Sequence, residues 1–322
     1  MAVTAVARRP LATRLGFRLE SLGVLLLLGA VMAWLSPYFL SVSNFLNILL
    51  ATATIGVLGI GASFVIGAAG LDLSLGSVLG LAGVVGASLV VKLELPWFVG
   101  LLGCLGAGAA AGLVNGLLVT RARLPAFIVT LGMLGIARGL ALVIADGKTI
   151  YGLDPTLVYI GQGRPFGIPF PVIVFIGVAL FTHYLLAYTR FGRHTLAIGD
   201  NETAARAMGI HVERHKLALY TLSGLTAGIA GLLFMARVNA GDPTAGLTYE
   251  LTAITAAIIG GTNLFGGRAS ILGTFIGALI MGVLQNGLNL LAVQSFYQQM
   301  AIGAVLIFAV WLDQTARRRR EA

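Results

Sequence analysis

Two ionisable residues sit where an apolar chain tolerates them least: Asp72 in GAAGLDLSLGS and Arg138 in LGMLGIARGLALVIADG. An ionised group at the centre of a membrane helix costs about 2.5–3.5 kcal/mol on insertion scales, so each needs a reason to be there. The two could pair, or face a hydrated cavity and handle a proton or a solute. Alternatively each caps or bonds local backbone. Asn47, Asn115 and Asn286 could also line a pathway, although helix–helix hydrogen bonding is the simpler use of a buried amide. Catalytic chemistry finds less support. Lys148 in DGKT looks like the end of a phosphate-binding loop, but GxxxxGK[ST] needs glycine at 142, where Leu142 stands. The histidines (183, 194, 211 and 215) form no HExxH and no pair with a nearby cysteine, and no GxSxG elbow occurs. The single cysteine, Cys104, allows no internal disulfide or cysteine–metal cluster and suits small-residue packing. The expectation is a chain with no catalytic residue, metal or cofactor of its own, whose uphill work draws on an ion gradient or on a partner ATPase.

The longest polar stretch between the termini is Thr189 to Lys216, TRFGRHTLAIGDNETAARAMGIHVERHK. Within it Asn201 to Met208 reads as one short helix. Asp200 or Asn201 is the candidate N-cap, and Glu202 suits the positive end of the helix dipole. Gly209 follows the last helical residue, where a left-handed position favours the absence of a Cβ. A compact helix projecting from a membrane body is a docking element.

Around this island 58% of the chain is hydrophobic and 10% charged, with mean hydropathy +0.95. Soluble domains carry about a quarter charged residues, so the chain is read as an all-α polytopic membrane protein. The 44 glycines favour closely packed helices, and no alternating ten-residue runs suggest a barrel. A net charge of +9 does not imply nucleic acid, because the basic residues flank apolar spans and fit the positive-inside rule. Arg8-Arg9 resembles a twin-arginine signal. The apolar stretch after it lacks a cleavage site and is read as a retained first span.

Ten spans are expected within a single transmembrane domain, 22–312. A cytoplasmic tail (1–21) precedes it, a basic cytoplasmic tail (313–322) follows, and the cytoplasmic loop 189–216 lies inside it. Fifteen of the 21 Lys and Arg then fall in segments facing the cytoplasm, and both termini are expected on that side of the membrane. Two Gly-rich breaks, Gly67–Ser77 and Gly260–Arg268, look alike: GAAGLDLSLGSVLGLAGVVGA and IIGGTNLFGGRASILGTFIGA. If the chain is two inverted five-span halves, 1–5 and 6–10, the breaks roughly correspond and mark a pathway carrying Gly70, Asp72, Ser74, Asn263 and Phe265. Span 3 and the segment after Glu250 look short of the roughly 20 residues a crossing needs. Two ordinary cytoplasmic turns are the plainer alternative.

Four stretches then resemble ribose/galactose-type ABC sugar permeases. FVIGAAGLDLSLGS is similar to their VI-x-x-GGIDLSVGS, and PAFIVTLGMLGIARGLALVI to their P-x-FIVTLG…RGLA. AIGDNETAARAMGI resembles AIGGNEEAARLSGI, and GGTNLFGGRASILGTFIGA resembles their C-terminal Gly-rich segment. Together they cover most of Asn44 to Leu312 in the right order. The resemblance implies a permease that dimerises with a second copy, as homo- or heterodimer, in the lipid of a bacterial inner membrane. A periplasmic sugar-binding protein would deliver a monosaccharide to it. Cytoplasmic ATP-binding cassette subunits, which hold the ATP and Mg, would dock on the island helix as a coupling helix. Carried over, Glu202, Ala204, Ala205 and Gly209 match the loop motif, with Asn201 and Arg206 beside them; Gly70, Asp72, Ser74 and Gly76 match the first break. Ala69, Leu71 and Asp200 depart from the pattern, which bears on which solute is carried. An amino-acid or nucleoside permease of this type, or a secondary carrier using Asp72 and Arg138, is the alternative. A branched-chain amino-acid permease shares the wider superfamily but has a different island sequence.

Overall fold

The computed structural model describes residues 11–321; Arg8 and Arg9 of the basic N-terminal run lie outside the described residues. The chain is a bundle of helices: α1 (Leu11–Leu35), α2 (Val42–Gly67), α3 (Leu75–Ala87), α4 (Trp97–Thr120), α5 (Ala126–Ile144), α6 (Pro155–Gln162), α7 (Phe170–Tyr188), α8 (Arg190–Asp200), α9 (Glu202–Ala207), α10 (Val212–Val238), α11 (Tyr249–Ile259), α12 (Ile271–Leu290) and α13 (Ser295–Glu321). Local chemistry sets many of the starts. Ser41, Asp154, Thr189 and Ser270 each accept from a backbone N–H of the first turn of α2, α6, α8 and α12. Pro96, Pro125 and Pro169 stand directly before α4, α5 and α7 in extended conformation, where the missing N–H costs no helical bond.

Among the described residues, seven helices are long and apolar enough to cross a membrane, and three shorter apolar stretches are Ser21–Leu35, Tyr249–Ile259 and Ser295–Trp311. The protein is all-α and polytopic. Two sequence expectations shift in detail. α3 continues through a π-helical turn to Lys92, so the third span has 18 residues and is less truncated than its composition suggests. α11 has 11 residues, about 16 Å at 1.5 Å per residue, roughly half the ~30 Å of a bilayer core.

The core lies around α2, α3, α4 and α10. α10 packs along the other three, and its contact with α4 is made backbone to backbone. A Cβ on Gly108 would collide with the Gly224 carbonyl, and one on Gly224 with the Gly108 carbonyl. Close approach of this kind replaces hydrophobic drive, which is weak between helices in lipid. Cys104 is fully buried in the same layer against Gly86. At one end of the bundle a two-residue antiparallel ladder pairs β1 (Ile150–Tyr151) with β2 (Ala240–Gly241), Ile150 opposite Gly241. We call this the strand end; α9 lies at the other.

A spacing of 170 residues (72 to 242) carries α2 onto α10, α3 onto α11, α4 onto α12 and α5 onto α13. The packing follows: α4 lies on α10 as α12 lies on α2, and α3 lies on α5 as α11 lies on α13. It also carries Asp72-x-Ser74-x-Gly76 onto Asp242-x-Thr244-x-Gly246. The two turns share one geometry. Asp72 Oδ1 accepts from Ser74 N and Oγ, and Asp242 Oδ1 accepts from Thr244 N and Oγ1. Gly76 and Gly246 abut, each so placed that a Cβ would collide with the other's carbonyl oxygen. The correspondence expected between the breaks at Asp72 and Asn263 is therefore corrected. The counterpart of Asp72 is Asp242, and the break at Asn263 instead touches the first break. Both breaks are glycine-rich because both are crowded.

Candidate functional site

The island is more helical than its charge implies. α8 occupies its first half, and α10 begins at Val212, inside it. Asn201 closes α8, and its Oδ1 accepts from Ala204 N at 2.9 Å to open α9, so no linker separates the two helices. Gly209 takes φ +82° and Ile210 N returns to the Ala205 carbonyl at 3.1 Å, a left-handed helix end. Four charged side chains weld α9 to the first turns of α10. Glu202 accepts from Lys216 at 2.6 Å and from Arg206 at 3.0 Å, and Arg206 also pairs with Glu213. The hydrogen bond from Lys216, more than its charge or that of Arg206, holds the Glu202 carboxyl below its ordinary range against the opposing effect of partial burial.

The faces of α9 differ from the sequence expectation in one respect. Ala205 is buried at 4% exposure and packs inward. The outward face carries Thr203, Ala204, Ala207 and Met208, and Met208 is 84% exposed. Behind α9 a cavity of about 620 Å³ opens, lined by Gly70, Thr120, Arg123, Glu202, Arg206, Lys216 and Tyr220 among others. It brings Gly70 and the α9 residues to one hollow.

Asp72, 2% exposed, organises the first break. Its Oδ2 accepts from Ser223 Oγ of α10 at 2.8 Å, while Ser74 Oγ accepts from Asn115 Nδ2 of α4 at 3.0 Å. Ser74 is thus bonded on both sides. Asn263 is a turn residue: its Oδ1 accepts from Phe265 N at 3.0 Å and its N donates to the Arg268 carbonyl at 3.0 Å. Phe265 is half-exposed at the tip.

Arg138 lies toward the strand end, away from this cluster. Its Nη1 donates to the carbonyls of Pro243, at 2.5 Å, and Ala245, at 2.8 Å, gripping the turn that matches the one around Asp72. Asp72 and Arg138 are not joined to each other; Lys92 pairs with Asp146 at 3.0 Å near the strand end. Glu250, Glu213, Lys216 and Met208 escaped the site reading of the sequence. A Cβ on Gly76 would strike the Glu250 carboxylate, and one on Gly80, a turn further, would lie 3.0 Å from Arg138 Nη1. The two charges thus pack over successive turns of α3. Truncating Arg138 to Met should leave both carbonyls without a donor. A bond to a charged group is worth about 1.5–3 kcal/mol, so the expected outcome is a lower melting temperature and faster amide exchange confined to residues 242–248.

The glycine-sealed helices, the broken segments and the projecting short helix define a multi-pass membrane permease. The chain belongs to the family described as the branched-chain amino acid transport system / permease component, whose model matches residues 44–310. It is 43% identical over 298 residues to the ribose import permease protein of Escherichia coli (strain K12), covering 91% of this chain and 92% of the relative. It is 44% identical over 292 residues to the ribose import permease protein of Bacillus subtilis (strain 168), covering 90% of each. The xylose transport system permease protein of Haemophilus influenzae is 33% identical over 373 residues, covering 94% of this chain and all of the relative. No solved structure matches the chain.

Proposed function

We propose that the chain is the membrane subunit of an ATP-driven importer of a monosaccharide of the ribose, pentose or galactose type. The observation that carries the energy-coupling part is α9. It is a six-residue helix capped at both ends, cross-braced to α10, and presents exposed Met208 and small residues outward. Such a face suits a groove on a soluble partner, read as an amphipathic helix is read. In this reading the partners are ATP-binding cassette subunits, which hydrolyse ATP with Mg. A periplasmic sugar-binding protein delivers the solute, and a second permease copy completes the transporter. The sugar class follows from the relatives, which are ribose, allose and xylose permeases.

Ten spans fit the seven long helices plus the three shorter apolar stretches, with both termini and α9 facing the cytoplasm of the inner membrane. The 170-residue spacing supports inverted halves built from α2–α5 and α10–α13 rather than from spans 1–5 and 6–10. Within this architecture Gly70, Asp72, Ser74, Asn263 and Phe265 border the cytoplasmic side of the path, and Arg138 its outer side. A secondary carrier would use Asp72 and Arg138 as exchangeable groups, whereas each is engaged by hydrogen bonds to its own fixed neighbours.

The test is purification of the protein in detergent from its native membrane with identification of what accompanies it. Co-purification of an ATPase that is lost when residues 201–209 are altered supports the reading. A protein that emerges alone, and transports in vesicles on an ion gradient, overturns it.

A further inference from the structure

Three crowded backbones meet at the base of α9. Gly267 N donates to the Gly67 carbonyl at 3.1 Å, tying the second break to the first. Gly199, in the last turn of α8, is wedged into that joint: a Cβ there would collide with the Gly67 carbonyl and closely approach Gly267 N. Gly267 in turn packs on Asp200, with a Cβ position 3.2 Å from the Asp200 Cα. Gly266 and Gly267, at φ +87° and +75°, hold a backbone path that other residues enter only with strain.

We infer that Gly67, Gly199 and Gly267 form a rigid transmission joint, through which movement of the coupling helix reaches both membrane breaks as one body. The inference rests on the coupling-helix reading and adds the residues that convey the motion. The surroundings fit a lever. On its base side α9 has no slack, because Asn201 is at once the last cap of α8 and the first of α9. α8 is fastened to the body along its length. Thr195 is fully buried, with Oγ1 2.8 Å from His215 Nε2, and Phe191 lies against Phe64 of α2, ring centroids 6.1 Å apart. On its other side α9 backs onto the cavity lined by Gly70 and Thr120, where the body leaves room. An element held by a tight joint on one side and facing a void on the other has room to move and carries the joint with it, since close-packed interfaces transmit strain.

The joint makes Gly199 a positioning residue that touches neither sugar nor nucleotide. Gly199→Ala forces backbone atoms apart, because no flexible side chain is available to yield. The expected result, in the assembled transporter with its cassettes and binding protein in liposomes, is retained cassette binding, ATPase activity within about twofold, and roughly tenfold less sugar moved per ATP, within the range of ordinary allosteric coupling. Gly267→Ala should act in the same direction. An unchanged sugar-to-ATP ratio in assembled Gly199→Ala transporter overturns the joint. The coupling-helix reading would survive that result if alterations on α9 still uncouple, and would fall with it if they do not. Should both variants fail to assemble, spin labels at exposed Ala197 and Phe265 in the otherwise intact transporter decide the matter. Their distance stays within its resting distribution through ATP binding if α8 and the second break move together, and a shift overturns the proposal.

Discussion

Glu202→Arg is expected to leave the permease folded and membrane-inserted while reducing ATP-driven uptake by roughly tenfold or more, the factor that about 1.4 kcal/mol of lost coupling represents. Magnitudes separate the two effects. Glu202 is 43% exposed as a side chain and Arg206 50%, and solvent screening leaves exposed pairs little weight in stability. Global stability therefore changes little. The geometry of α9 changes much more, because Glu202 is the anion that Lys216 and Arg206 share. Charge reversal places three cations together, frees Arg206 toward Glu213 alone, and detaches the first turn of α9 from α10. The helix keeps its Asn201 cap but loses its fixed angle. Stimulated ATPase should persist or rise while uptake collapses. Measurement of both in one liposome preparation checks this, and equal, near-normal values would remove α9 from the coupling assignment. Glu202→Gln is the graded control: it keeps a hydrogen-bond acceptor, removes the charge, and should give an intermediate loss.

How much of this was legible in the sequence depends on whether a feature is local. α9 was legible because its cap, Asn201, and its left-handed terminator, Gly209, are adjacent in the chain and act on adjacent backbone. Its orientation was not: six residues carry too little periodicity to say which alanine points inward, and only the fold shows that Ala205 is the buried one. α8 was hidden because Arg190, Arg193 and His194 give it a polar look, although Thr189 caps it and Thr195 and Ile198 are buried. The breaks were visible as glycine runs, but glycine density reports crowding and does not say what crowds. Asp72 therefore drew attention toward Asn263, the nearest glycine-rich likeness, and away from Asp242, which shares its turn. The shared spacing, Asp-x-Ser-x-Gly against Asp-x-Thr-x-Gly, stands in the sequence at 72–76 and 242–246. It goes unnoticed because Pro243 and the surrounding polar residues make the second copy resemble an ordinary loop. Glu250 and Lys216 were missed for a related reason. Each matters through partners more than ten residues away, Lys216 through Glu202, and Glu250 through the face of α3 that also meets Arg138.

Asp72→Ala is expected to be the most damaging single substitution in the first break. One carboxylate satisfies Ser74 N at 3.0 Å, Ser74 Oγ at 2.6 Å and Ser223 Oγ at 2.8 Å, all buried. Ser74 Oγ in turn accepts from Asn115 Nδ2. Removal leaves two hydroxyls and one amide N–H without their acceptor in a place with little water, at about 1–3 kcal/mol for each group stranded. The hydroxyls can rotate to other acceptors, so the sum is smaller than three full penalties, and a loss of roughly 3 kcal/mol is expected. The lost bonds fix the break to itself through Ser74 and to α10 through Ser223, and the Ser74 hydroxyl they orient is the one that accepts from Asn115 of α4. The break should therefore loosen from both neighbours at once, next to Gly70 and the cavity behind α9. Uptake should fall further than stability alone explains. Asp72→Asn separates the two contributions. The amide keeps one oxygen that can accept from Ser74 N and Oγ, so the turn survives, while its NH2 faces Ser223 Oγ, which can reverse its role and accept. If Asp72 is only the organiser of this turn, Asp72→Asn should retain most uptake and most thermal stability. If Asp72 carries a proton as a carrier residue would, Asp72→Asn should abolish uptake with the melting temperature nearly unchanged. A thermal melt in detergent alongside sugar uptake in liposomes distinguishes the outcomes. The three hydrogen bonds that converge on Asp72 predict the first.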